Sequence, residues 1–219
     1  MKPFVFFDLD GTLIDSMPYH AKAWIEALAE YGIKFKEEEV YLYEGAIEFE
    51  TVRDIFQKKG FNIDRKFFED LFKKQKTIFL SRYASKVNPF PEVPTLLDSL
   101  RKEKKILALV TSSHAEILDE VLPKNFYTYF SVVLTGDRIK KRKPHPDPYL
   151  EALKAVNADF NQALVVENSP AGVTSAKGAN LFCVAITTTL PEHHLRLADL
   201  VVKDHTELKE VLLNGKDKM

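Results

Sequence analysis

Six short runs in this 219-residue chain are apolar at every position: residues 4–7, 106–110, 132–134, 164–166, 183–186 and 200–202. A run that does not alternate suits a strand covered on both faces, and that demands helices on both sides of a parallel sheet. Helical patterns fall between the runs, over 91–103, 115–122, 146–156, 170–179 and 207–213. Strand and helix in alternation form the βαβ signature. The expected fold class is α/β, with a parallel-sheet, Rossmann-like core.

One stretch breaks the alternation. From about residue 16 to residue 85 the sequence shows helical periods and no strand. Ser16 reads as an N-cap with Pro18 in the first turn, Trp24, Leu28 and Tyr31 form one stripe, and Gly32 stops the helix. A second helix over 51–59 ends at Gly60, and Asp64 reads as the cap of a long helix carrying Phe67, Leu71, Phe79 and Tyr83. These aromatic stripes read as packing surface. The expected organisation is a core of residues 1–15 and 87–219 with an α-helical cap domain, 16–86, inserted after the first strand. An insert there lies over the crevice at the carboxyl ends of the strands, where α/β sheets bind ligands, so it is a candidate lid.

Composition narrows the function. Lys and Arg number 31 against 32 Asp and Glu, a net charge of −1, so the chain lacks the basic excess of an electrostatic nucleic-acid binder. A single cysteine, Cys183, excludes an internal disulfide framework and a cysteine-rich zinc site. The start, MKPFVFFDLD, does not read as a secretory leader, and no apolar stretch approaches the roughly 18 residues of a membrane span. The expectation is a cytoplasmic protein with neither nucleic acid nor membrane as partner, monomeric or weakly dimeric.

The strongest chemical signal is FVFFDLDGT, residues 4–12. Two carboxylates two residues apart leave the end of a buried strand, and side chains at that spacing point the same way while the chain is extended. Such an Asp serves as a nucleophile or a hard-metal ligand. The same string also reads as a polar strand end with a turn, whereas a calcium loop fails because the twelfth position from Asp8 is Tyr19. Other strand ends weigh in. The run 106–110 ends in Thr111-Ser112-Ser113, the run 164–166 ends in Glu167-Asn168-Ser169, and Lys143 precedes Pro144 at a helix start. Carboxylates, hydroxyls and a lysine at one sheet edge make a phosphate site with a hard cation.

With these residues in view, the sequence resembles the haloacid dehalogenase superfamily of phosphotransferases, in the subgroup of β-phosphoglucomutase-like phosphatases with a helical cap. DLDGT, VTSS, KRKPHPDPY and VVENSPAGV resemble that family's four motifs in order, and the likeness spans essentially the whole chain. The resemblance implies a phosphatase for a small phosphorylated metabolite that works through an aspartyl-phosphate. It implies Asp8 as nucleophile, Asp10 as general acid/base with a pKa tuned upward, Thr111 and Ser112 on the phosphoryl group, and Lys143 offsetting charge. It implies Mg²⁺ on Asp8, the Asp10 carbonyl, Glu167 and Asn168. Many relatives carry Asp where this chain has Asn168, which removes a negative charge and implies weaker metal binding.

Substrate contacts are expected from His20, Ser113, His114 and Glu44. The cap loop YLYEGAIEFETVR holds Glu44, Glu48 and Glu50, with Arg53 as its nearest cation, and would repel a second bare phosphate. That weighs against a β-phosphoglucomutase. An inorganic pyrophosphatase and a catalytically silent module of the same fold are the remaining alternatives.

Overall fold

The computed structural model describes residues 2–43 and 49–215. Six strands form one sheet in the order β3-β2-β1-β4-β5-β6, with every described pairing parallel. They are β1 (Phe4–Phe7), β2 (Ile106–Val110), β3 (Phe130–Leu134), β4 (Ala163–Glu167), β5 (Phe182–Ile186) and β6 (Leu200–Val202). Each apolar run of the sequence is a strand; three strands begin a residue or two earlier than the run. The core helices are α5 (Val93–Lys102), α6 (Ala115–Val121), α7 (Asp147–Ala155), α8 (Pro170–Gly178) and α9 (His205–Asn214).

The two faces of the sheet have different cores. Val5, Phe7, Leu107, Leu109, Val166 and Ile186 belong to a large cluster that runs through α5, α6 and α9 and on into the inserted helices. The opposite face, with Phe6, Ala108, Val110, Ala163 and Cys183, packs on α7 and α8. Its residues are smaller, which lets those helices approach closely.

The insert consists of α1 (Met17–Ala29), α2 (Glu37–Tyr43), α3 (Phe49–Lys58) and α4 (Arg65–Ile78). Asp64 caps α4 as its sequence implies, accepting from the Phe67 amide at 2.7 Å. Two local expectations are corrected. The helix opened by Asp64 does not run unbroken to Tyr83: it passes into a π-helical turn at Phe79–Tyr83 and a 3₁₀ turn at Ala84–Lys86. Tyr31 is not a buried member of the Trp24–Leu28 stripe, because α1 has ended and the ring lies exposed, edge-on to Phe67.

Sheet register sets the site. Phe7 is level with Leu109 on β2 and Val166 on β4, so the next residues of the three strands, Asp8, Val110 and Glu167, reach the carboxyl edge together. That edge, where the strand order reverses beside β1, is the ligand crevice of a doubly wound sheet.

Candidate active site

Lys143 is the hub of the buried charges. Its ammonium, 1 % exposed, donates to Asp8 Oδ1 at 2.7 Å, to Glu167 Oε1 at 2.7 Å and to the Val110 carbonyl at 2.9 Å. A lysine burying its charge needs such partners, and all three donor positions are used. Although burial opposes the charge, Asp8 and Glu167 raise the Lys143 pKa. One cation between two carboxylates leaves the cluster short of positive charge. Burial, opposed by Lys143 and reinforced by Glu167 and Asp10, therefore raises the Asp8 carboxyl to about 7.

Glu167 is held by more than Lys143. Oε1 also accepts from the Tyr149 hydroxyl at 2.8 Å, and Oε2 accepts from the Asn168 backbone N–H at 3.0 Å and the Ser169 hydroxyl at 3.2 Å. A Cβ on Gly172, in the first turn of α8, would lie 1.8 Å from Oε1, so only glycine admits the carboxylate there. The sequence expectation made Glu167 a metal ligand; the structure gives both of its oxygens protein donors. Asn168 stands nearer the cavity. Its side chain accepts from Thr12 at 3.3 Å and donates to Thr189 at 2.8 Å, and it packs under Gly11, whose φ of +79° and lack of a Cβ allow the approach.

Asp10 has a different environment. Oδ1 accepts from the Ser16 hydroxyl at 2.7 Å and faces His20 Nε2 at 3.3 Å; Oδ2 accepts from Ser113 at 2.7 Å and Thr111 at 3.4 Å. Burial pushes this carboxyl up, but the hydrogen bond and charge of His20, then the hydroxyls of Ser113 and Ser16, outweigh it and hold the group at about 2. The upward tuning expected of Asp10 is thus corrected for this state, since each neighbour favours the charged form. Ser16 is corrected too: it precedes α1 but makes no cap bond, because its hydroxyl is spent on Asp10. His20 is fixed by stacking on Phe79, centroids 3.9 Å apart.

A pocket opens over these groups. Asp8, Asp10, Ser112, Ser113, His114 and Asn168 line it from the core, and the insert contributes His20, Phe72 and Gln75. Sequence reasoning brought most of the core residues to this edge. Glu44 lies outside the described residues. Sequence reasoning missed Ser16, Tyr149, Gln75 and Arg142. Arg142 lines the pocket and donates to His114 Nε2 at 2.9 Å; burial and the Arg142 charge lower the His114 pKa, which keeps the ring neutral and able to accept. Among the described residues, no group of three or more His, Cys, Asp or Glu side chains is placed to hold a metal, and no helix is long and apolar enough to cross a membrane.

Comparison with known proteins decides the family. The haloacid dehalogenase-like hydrolase family profile matches residues 5–186, a span that holds every pocket residue named above. The chain belongs to the haloacid dehalogenase-like hydrolases. Among curated members it is 29% identical over 214 residues to a validoxylamine A 7′-phosphate phosphatase of Streptomyces hygroscopicus subsp. limoneus, covering 93% of this chain and 94% of that one. It is 30% identical over 177 residues to a phosphoglycolate phosphatase of Aquifex aeolicus, covering 80% of each. A crystal structure of a β-phosphoglucomutase from Clostridium difficile superposes with a TM-score of 0.80 at 22% identity, covering 99% of this chain and 97% of that one, and so shares the fold.

Proposed function

We propose that this haloacid dehalogenase-like hydrolase is a phosphatase for a small phosphorylated metabolite, with Asp8 as nucleophile and Asp10 as the proton-transferring group. One observation carries the reading: a single pocket holds two carboxylates in opposite settings, Asp8 anchored on a buried lysine and Asp10 surrounded by hydroxyls and a histidine. A carboxylate anchored on a buried lysine is positioned to attack, and one among hydroxyls and a histidine is positioned to exchange a proton. The phosphatase names of the two curated relatives support the monoester class.

In the proposed reaction an Asp8 oxygen attacks phosphorus in line, the bridging P–O bond breaks, and a proton on Asp10 passes to the leaving oxygen. Water then attacks phosphorus and gives its proton to Asp10, and the P–O bond to Asp8 breaks to release phosphate. Ionised as it stands, Asp10 suits the second half. A phosphoryl group arriving beside it adds like charge and competes for the Thr111 and Ser113 hydroxyls, and both effects raise its pKa for the first half. Thr111 and Ser112 bind the phosphoryl oxygens, and Lys143 keeps Asp8 aimed.

The residues fit Mg²⁺. The Asp8 carboxylate, the Asp10 carbonyl and the Asn168 amide oxygen are hard donors, and so small a set suits a cation that completes its shell with water and substrate phosphate. Glu167, with both oxygens engaged, supports that set from behind. When bound there, Mg²⁺ screens phosphoryl charge from the nucleophile and stabilises charge in the transition state. Residues 16–86 act as the lid, with Phe72 and Gln75 closing over the pocket and excluding water.

The test is phosphate release with Mg²⁺ from pyrophosphate, hexose and pentose phosphates, phosphoglycolate, glycerol phosphates and β-glucose 1-phosphate. The expected result is turnover of a monoester that Asp8→Asn lowers at least about 10³-fold. Preferred turnover of pyrophosphate, or turnover that survives Asp8→Asn, overturns the proposal.

A further inference from the structure

Two polar side chains line the active-site pocket without a part in the proposed chemistry. Gln75 sits on the apolar stripe of α4, between Leu71 and Ile78, and is 4 % exposed. Its amide makes no hydrogen bond to a described residue and is open to the pocket. Arg142 enters from the core side. It is half-buried, its described hydrogen bond goes to neutral His114, and no carboxylate among the described residues pairs with it. A guanidinium has five donors, so this one keeps several for a ligand. The other acids at the pocket have their own partners: Asp8 shares Lys143 with Glu167, and Asp10 faces His20.

We propose that Gln75 and Arg142 read the leaving group, and that the substrate carries a second anionic oxygen group, carboxylate or phosphate, beyond the phosphoryl group that is transferred. This rests on the phosphatase reading of the same site and names its substrate class. The guanidinium supplies a charge-assisted, two-pronged contact to an oxyanion, and the amide N–H supplies a further donor from the lid. His114 orients the guanidinium while adding no charge of its own. Because Gln75 belongs to the insert and Arg142 to the core, an anion held by both also ties the lid shut over a correct substrate. A substrate lacking the second group leaves Gln75 unpaired in a closed site.

The test measures binding, so it does not depend on turnover. Calorimetry on the full chain with Mg²⁺ compares phosphonoacetate, phosphonomethylphosphonate and ethylphosphonate, which are non-hydrolysable and differ in the distal group. The expected result is at least about tenfold tighter binding of one of the two probes with an anionic distal group over ethylphosphonate, the tighter one telling carboxylate from phosphate. Arg142→Gln should bring that ratio close to one, and Gln75→Leu should lower it severalfold; circular dichroism confirms that both variants are folded. A wild-type ratio near one, or a ratio that persists in Arg142→Gln, overturns the proposal. Failure of the phosphatase reading shows separately, as absent phosphate release across the substrate panel.

Discussion

Lys143→Met is the perturbation whose outcome follows most directly from the buried charges. Methionine keeps much of the aliphatic stem but removes the ammonium, and with it three hydrogen bonds of 2.7, 2.7 and 2.9 Å. Asp8 and Glu167 are left buried, 7 % and 0 % exposed, with no cation between them. Breaking a buried ion pair by removing one partner costs about 3–5 kcal/mol, a large share of a domain's 5–15 kcal/mol. The loss also has a pH signature. Without Lys143 the Asp8 carboxyl holds its proton still more tightly in the native state than in the unfolded chain. Its contribution is therefore favourable below the unfolded pKa and is lost as pH rises through the native one. Asp8, already raised to about 7, follows the same sign in the wild type, but the variant follows it more steeply. Urea unfolding in EDTA at about pH 8 and about pH 5 should show the gap between variant and wild type narrowing at the lower pH. Adding Glu167→Gln to the variant should restore at least about 1 kcal/mol through removal of the second stranded charge. A loss below about 1 kcal/mol at pH 8, or one that does not change with pH, refutes the charge-hub account.

Other outcomes follow from single contacts. Gly172→Ala places a Cβ 1.8 Å from Glu167 Oε1 and should cost about 3 kcal/mol by urea unfolding, because the carboxylate must leave Lys143 and Tyr149. Burial pushes the Cys183 thiol well above its ordinary range, so an aromatic disulfide reagent should react at least about 100-fold more slowly in buffer than in urea. Asp64→Ala removes the N-cap bond to Phe67 and should lower stability by about 1 kcal/mol, measured by thermal unfolding.

The sheet was legible because burial on both faces writes itself into sequence as short runs with no polar member. Asp8 and Thr111 were legible because strand ends place them without knowledge of long-range packing, and Lys143 because it stands in the string KRKPHPDPY shortly before α7. Residues whose role depends on how the insert docks were harder to read. Ser16 looks like a helix cap by every local rule, and only the approach of Asp10 claims its hydroxyl. Gln75 did leave a trace, a polar residue on an apolar stripe with Leu71 and Ile78, but what lies above it is set by the fold. Arg142 sits in the basic run KKRK, where sequence gives no means of telling a pocket cation from its solvated neighbours. The downward pKa of Asp10 has the same origin: all four of its neighbours come from the insert or from a strand end distant in sequence.

The central claim, that Asp8 takes the phosphoryl group, is tested most directly by acid-quenching the enzyme during turnover of its best substrate and mapping the adduct by mass spectrometry. The account predicts one added phosphoryl group on the peptide carrying Asp8, absent from Asp8→Asn. Steady turnover with no covalent phosphate, or with the adduct on another residue, would contradict it.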